Sequence, residues 1–240
     1  MKLFILKFYA FNLLLVLFLV ACSEPKRQEK KPAIEKIAEK VSSLEIEHTI
    51  SDLVAYETRF PYQKQLEVAD YLAERLKVHI TMTGFHEYEF WGVNWKNVVA
   101  TIPGKLHPEQ VVIVCAHLDS KSDKRLVYAP GADDNASGCA AVIELARILS
   151  GHSFEKSLRF IIFSREEYGW EGSAAYVKSI DRHKEKIIAA INLDMIAYGT
   201  DNEDIDLVTR PEYSWLVGKI DDLAHLYGYE TKKIIKKDCY

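Results

Sequence analysis

Apolar positions along this chain recur with two different periods, and the way the periods alternate predicts the architecture. Spacing of three and four residues, which lines one face of a helix, occurs at Ile34, Ile37, Ala38 and Val41, and at Leu66, Ala69, Leu72, Ala73 and Leu76. Thr58 to Tyr62, with Pro61, marks a turn before the second of these. Helical patterns return over 140–149 and 173–180, and Leu216, Ile220, Leu223 and Leu226 form a last stripe. Between them lie β-type apolar runs at 98–102, 111–115, 158–163 and 187–191. Several are too continuous for a sheet with one wet face, so they read as buried strands. Strands alternating with helices need crossover connections, which predicts an α/β fold: a mostly parallel, mixed sheet sandwiched between helices. No internal repeat or low-complexity segment interrupts it.

The first residues follow another logic. Lys2 and Lys7 precede an apolar run over 8–21, shorter than the about 20 residues that a membrane-spanning helix needs, so 1–21 reads as a signal peptide. Its end, Leu19-Val20-Ala21-Cys22, resembles the lipobox of bacterial lipoproteins, in which the cysteine takes a diacylglycerol before cleavage behind the alanine. That implies a mature chain beginning at lipidated Cys22, held to a membrane of the bacterial cell envelope after export. Residues 22–32 are polar, highly charged and proline-bearing, a tether without apolar residues to bury. A single folded domain is expected over 33–240.

Composition narrows the function classes. With 48% hydrophobic and 28% charged residues the chain is that of a globular protein. A net charge of -4 and no basic stripe interleaved with aromatics argue against nucleic-acid binding. Four cysteines without C-x-x-C spacing do not make a disulfide-built scaffold.

Chemistry is expected beyond the carboxyl ends of the strands, where ligands gather in open α/β sheets. After the 111–115 run stands Ala116-His117-Leu118-Asp119-Ser120, with His117 and Asp119 two apart and so on one side of an extended segment. Asp119 can then hold one imidazole nitrogen while the other faces a metal. The loop opening the next helix, Gly131-Ala132-Asp133-Asp134-Asn135-Ala136-Ser137-Gly138, carries more acceptors than a helix cap needs, which suggests a carboxylate bridging two cations. Ser164-Arg165-Glu166-Glu167-Tyr168-Gly169 follows the third run. Two adjacent carboxylates at a buried strand end repel, so a cation is needed, with one glutamate as ligand and the other free to take a proton. Asn192-Leu193-Asp194-Met195 ends the fourth run in an acid. Oxygen and imidazole donors without thiolate favour zinc or a similar divalent ion in an open, catalytic site.

In that order the motifs AHLDS, PGADDNASG, EE-x-G-x-x-GS and NLDM resemble the di-zinc aminopeptidases of metallopeptidase family twenty-eight, closely over roughly 97–198 and loosely on the flanks. The resemblance implies a zinc-dependent aminopeptidase acting on peptide substrates. His117 and Asp194 would hold one zinc, Glu167 would help hold the second, Asp134 would bridge both, Glu166 would be the general base, and Asp119 would orient His117. The bond after Asp134 is cis in relatives. Relatives add a downstream histidine to the second zinc, whereas this chain has after Asp194 only His225, beside a helical stripe and poorly suited as a ligand. The expectation is therefore a chain truncated at its C-terminus, with one zinc site incomplete and Cys239 deprived of a disulfide partner. Two other readings stand beside this one: a glutaminyl-peptide cyclotransferase on the same fold, and a lipid-anchored, non-catalytic binding module.

Overall fold

The computed structural model describes residues 32–198 and 205–237. The expected signal peptide, Cys22, the tether up to residue 31 and Cys239 lie outside them. Among the described residues no helix is long and apolar enough to cross a membrane. Ser42–Ala197 forms one compact unit, and the described residues up to Val41 and from Tyr198 group as another.

The larger unit contains helices α2 (Ser43–Val54) and α3 (Tyr62–Lys77), strands β1 (Thr83–Phe90), β2 (Val93–Ile102) and β3 (His107–His117), helix α4 (Gly138–Leu149), strand β4 (Lys156–Phe163), helix α5 (Glu171–Ser179) and strand β5 (Lys186–Asn192). Helix α1 (Pro32–Ala38) precedes them in the chain. The sheet order is β1-β2-β4-β3-β5, with β3 parallel to both β4 and β5 and the other two pairings antiparallel. All four apolar runs are strands of this mixed sheet. The antiparallel half arises because Trp91 and Gly92 both take positive φ, 52° and 71°, the conformation of a two-residue hairpin turn that suits twisted strands. β1 escapes the apolar-run criterion because half of it faces water: its positions alternate between part-buried and exposed.

β3 lies inside the sheet, between β4 and β5, and is buried without interruption from Val111 to His117. Val111, Ile113 and Cys115 pack with Ile161 and with Tyr176 of α5 on one face. The intervening Val112, Val114 and Ala116 point to the opposite face by strand alternation, toward α4, which packs on β3 and β4 and is buried at every position but Arg147. Burying a side chain of this kind contributes about 1.5–3 kcal/mol, so the paired faces make β3 a rigid base for the loop that leaves its carboxyl end.

The smaller unit pairs β6 (Ile205–Thr209) and β7 (Thr231–Ile235) in parallel, with α6 (Ser214–Leu226) packed on both. α6 is the helix that the 216–226 stripe predicts. The two strands are short and about half exposed, which is why no apolar run announces them.

Candidate metal centre

The parallel register brings the motif-bearing ends together. His117 pairs with Phe163, and Cys115 with Asn192. The ladder continues past both strands, Leu118 N–H to the Phe163 carbonyl at 2.8 Å and Leu193 N–H to the Cys115 carbonyl at 2.8 Å. His117, Glu166 and Asp194 therefore leave one edge of the sheet side by side.

Asp134 reaches them from the loop before α4. Asn135 ties that loop to the exit of β5, donating from Nδ2 to the Leu193 carbonyl at 2.9 Å and accepting the Gly138 N–H at 2.9 Å. Gly138 is required there, because a Cβ would collide with the Leu193 carbonyl. Gly131, at φ 50°, begins the turn, and its Cβ would strike the Asp134 carbonyl. The Asp134–Asn135 peptide bond is cis, as the resemblance implied. Asp133 points elsewhere, accepting the Ala197 N–H at 2.8 Å and so holding the segment after Asp194.

Around the buried imidazole of His117, Nε2 lies 3.1 Å from Asp134 Oδ1, 3.5 Å from Asp194 Oδ1 and 4.0 Å from Glu166 Oε2. Donor atoms of His117, Asp134 and Asp194 all fall within 4.8 Å of one another. Nδ1 faces Asp119, 3.1 Å from its backbone carbonyl and 3.5 Å from its carboxylate. The Asp119 carboxylate is mainly spent on another task, accepting the backbone N–H of Glu166 at 3.0 Å and of Glu167 at 3.1 Å. Glu167 stands outside the group of three, with Oε2 3.7 Å from Lys121 Nζ. His225 is engaged with Asp221 and Glu230 in the smaller unit and is not among the clustered donors.

The electrostatics describe a site with surplus negative charge. Burial opposes a charged His117, but the carboxylates of Asp119, Asp134 and Asp194 outweigh it and hold the imidazole well above its ordinary range. The hydrogen bond from His117 holds Asp134 below the usual carboxylate range, against burial. Burial pushes Glu166 up, and burial followed by the charge of Asp134 pushes Glu167 up to about 7. Cys115 and Cys139, the free cysteines here, are buried and pushed up to about 12, which keeps them as thiols. The donor set is thus one imidazole and several carboxylate oxygens, a set that fits zinc in an open site.

Three supporting residues carry no signal in the sequence. Arg59, fully buried, donates to the carbonyls of Leu118 at 2.8 Å, Pro130 at 2.5 Å, Gly131 at 2.9 Å and Leu53 at 3.2 Å, lacing the loops after His117 and before Asp134. Arg165 spreads its guanidinium over Tyr168, Trp95 and Phe90 at 4.1, 4.4 and 4.7 Å and braces the base of the glutamate turn. Trp170 donates its indole N–H to Glu166 Oε1 at 2.8 Å. A lone arginine or tryptophan in a turn has no spacing partner to mark it; only the spatial neighbour gives it meaning.

Comparison with known proteins places the chain. The profile of Peptidase family M28 matches residues 97–240, and the chain belongs to that family. It is 30% identical over 188 residues to a probable zinc metalloprotease of Pyrenophora teres f. teres, covering 68% of this chain and 40% of that protein. It is 28% identical over 233 residues to leucine aminopeptidase 1 of Trichoderma harzianum, covering 90% of this chain and 56% of that one. The chain thus spans about half the length of these curated relatives. Among solved structures, LapB from Legionella pneumophila aligns with a TM-score of 0.74 at 21% identity, over 92% of this chain and 63% of the other. The glutaminyl cyclase of Tannerella forsythia aligns at 0.64 and 22% identity, over 82% and 78%. Both likenesses speak to the fold, a zinc-exopeptidase-like mixed sheet flanked by helices.

Proposed function

We propose that the protein is a zinc-dependent aminopeptidase that hydrolyses the N-terminal residue from peptides at the His117 site. The observation that carries the reading is the convergence of His117, Asp134 and Asp194 donors within 4.8 Å, with Glu166 Oε2 4.0 Å from His117 Nε2. Membership of Peptidase family M28 and the names of its relatives point the same way. His117 and Asp194 would hold one zinc, Glu167 would help hold the second, and Asp134 would bridge them. Zinc supplies Lewis acidity toward a carbonyl oxygen and makes water a stronger acid. The protein's own part is proton handling and alignment. Glu166 takes the proton of the attacking water on the oxygen that faces the cluster, then passes it to the leaving amine. Asp119 holds the Glu166–Glu167 backbone through two N–H bonds, so base and ligand keep their spacing. The surplus carboxylates also suit the free ammonium of a peptide N-terminus.

Attachment to the cell envelope through lipidated Cys22 belongs to the same proposal. The test of activity is release of free amino acid from unblocked peptides by the purified zinc-loaded protein, abolished by a chelator. Turnover unchanged in excess chelator overturns it. Ammonia release from an N-terminal glutaminyl peptide without a free amino acid would indicate the cyclotransferase, and bound zinc without turnover a binding module.

A further inference from the structure

The two oxygens of Glu166 have different neighbours. Oε1 accepts the Trp170 indole N–H at 2.8 Å, while Oε2 faces His117 Nε2 at 4.0 Å. The indole comes from the far end of the same turn, where the Gly169 and Trp170 N–H groups bond back to the Glu166 carbonyl at 2.9 and 3.0 Å. Trp170 itself sits at φ 62° and ψ 26°, in the left-handed region that a side chain with a bulky ring rarely adopts. A strained residue of this kind persists where its surroundings over-determine it, and such residues gather at functional sites. The directed hydrogen bond and the backbone conformation that delivers it therefore converge on one carboxylate.

We infer that Trp170 is a positioning residue for Glu166: its indole pins one carboxylate oxygen and leaves the other as the proton acceptor toward the metal cluster. This rests on the reading of Glu166 as the general base. The chemistry of the donor makes the division of labour one-sided. An indole N–H donates and has no lone pair to accept with, so it steadies the anion and cannot itself take the proton. With one lone pair of Oε1 occupied by the indole, the proton collected from water is favoured on Oε2, on the side where the leaving amine needs it. A free glutamate side chain explores several rotamers, and confining it beforehand removes an ordering step from the reaction.

Two measurements test this, one of them independent of turnover. In a 1H–15N spectrum of the full chain, with the Trp170 indole signal identified through W170F, that signal should shift when Glu166→Ala removes its acceptor; an unmoved signal overturns the inference. In peptide hydrolysis, W170F should lower kcat about 10- to 100-fold with KM and bound zinc little changed, since a misplaced group loses rate of that order. W170H should restore much of it, because its Nε2–H occupies the ring position of the indole Nε1–H. Unchanged kcat in W170F, equal loss in W170F and W170H, or loss of zinc from W170F each overturns the positioning role. A parent protein without chelator-sensitive hydrolysis instead defeats the proposed function, and the indole signal still decides whether the bond exists.

Discussion

Asp119 Oδ1 accepts the backbone N–H of Glu166 at 3.0 Å, and the second oxygen of the same carboxylate accepts that of Glu167 at 3.1 Å. One fully buried side chain thereby joins the strand end that carries His117 to the turn that carries both glutamates. Asp119→Ala would leave two backbone donors without an acceptor, each costing about 1–3 kcal/mol. Asp119→Asn keeps the shape but turns an N–H2 toward one N–H. We expect Asp119→Asn to weaken zinc binding about 10- to 100-fold, the range for losing an outer partner of metal ligands. Competition against a chromogenic chelator measures it, and unchanged affinity would remove Asp119 from the site.

The two glutamates should separate in mutagenesis. Glu166→Gln keeps shape and removes the base, so hydrolysis should fall about 100-fold or more while bound zinc holds. Glu167→Gln should instead lose the more weakly held zinc, leaving the His117–Asp134–Asp194 site filled, since three protein ligands suffice for an open site. Metal analysis of both variants decides. If Glu166→Gln loses zinc and Glu167→Gln does not, the roles are reversed.

Stability without metal should depend on pH in a direction set by Glu167. Burial, then Asp134, raises it to about 7 from an ordinary 4.5, so between those values the folded chain holds a proton that the unfolded chain has released. Stability then falls as pH rises through that window. Glu166, also raised, acts in the same direction, whereas His79 and His86, both lowered by burial, act against it as pH rises toward 6.5, so the contribution of Glu167 is read as the difference from Glu167→Gln. His117, raised above 6.5, keeps its proton there, and its contribution is lost only as pH climbs through its folded value. Asp134 and Glu185, both lowered, contribute stability already present above the ordinary carboxylate range. The metal-free melting temperature should therefore drop from pH 5 to pH 7, less so in Glu167→Gln, and added zinc should raise it more at pH 7. A pH 5 to 7 change in metal-free melting temperature that is the same in the parent and in Glu167→Gln contradicts the surplus of carboxylate charge around His117.

Arg59→Met should be among the most damaging substitutions at a distance from the metal ligands. It removes donors from the carbonyls of Leu118, Pro130, Gly131 and Leu53, all reached from one buried guanidinium. Unsatisfied buried acceptors cost about 1–3 kcal/mol each, so a loss of several kcal/mol is expected by denaturant unfolding. Arg59→Lys, with one point of attachment in place of a fork, should recover only part of it. A loss below about 1 kcal/mol for Arg59→Met would place it among ordinary surface changes.

For the N-terminal segment, Cys22→Ala should abolish incorporation of labelled fatty acid and leave the protein unanchored or unprocessed. Label on the variant would refute the lipobox reading.

Much of this protein was legible in one dimension. Buried strands need continuous apolar runs, so 98–102, 111–115, 158–163 and 187–191 declared themselves; a divalent site needs more acid than caps and surfaces require, so Asp134, Glu166, Glu167 and Asp194 stood out beside His117, and of these the fold brings donors of Asp134 and Asp194 together with His117. The half-wet β1 and the short β6 and β7 did not, because alternation and exposure remove the signal that burial creates. Strand order was equally hidden. Only the tertiary structure inserts β4 between β2 and β3 and sets the register that puts Cys115 opposite Asn192 and His117 opposite Phe163. The assignments of Asp119 to two backbone amides, of Arg59 to four carbonyls and of Trp170 to one oxygen of Glu166 belong to the same class. Each joins segments through a backbone group or a single directed bond, and such bonds depend on where the chain returns, which no local spacing of residue types records.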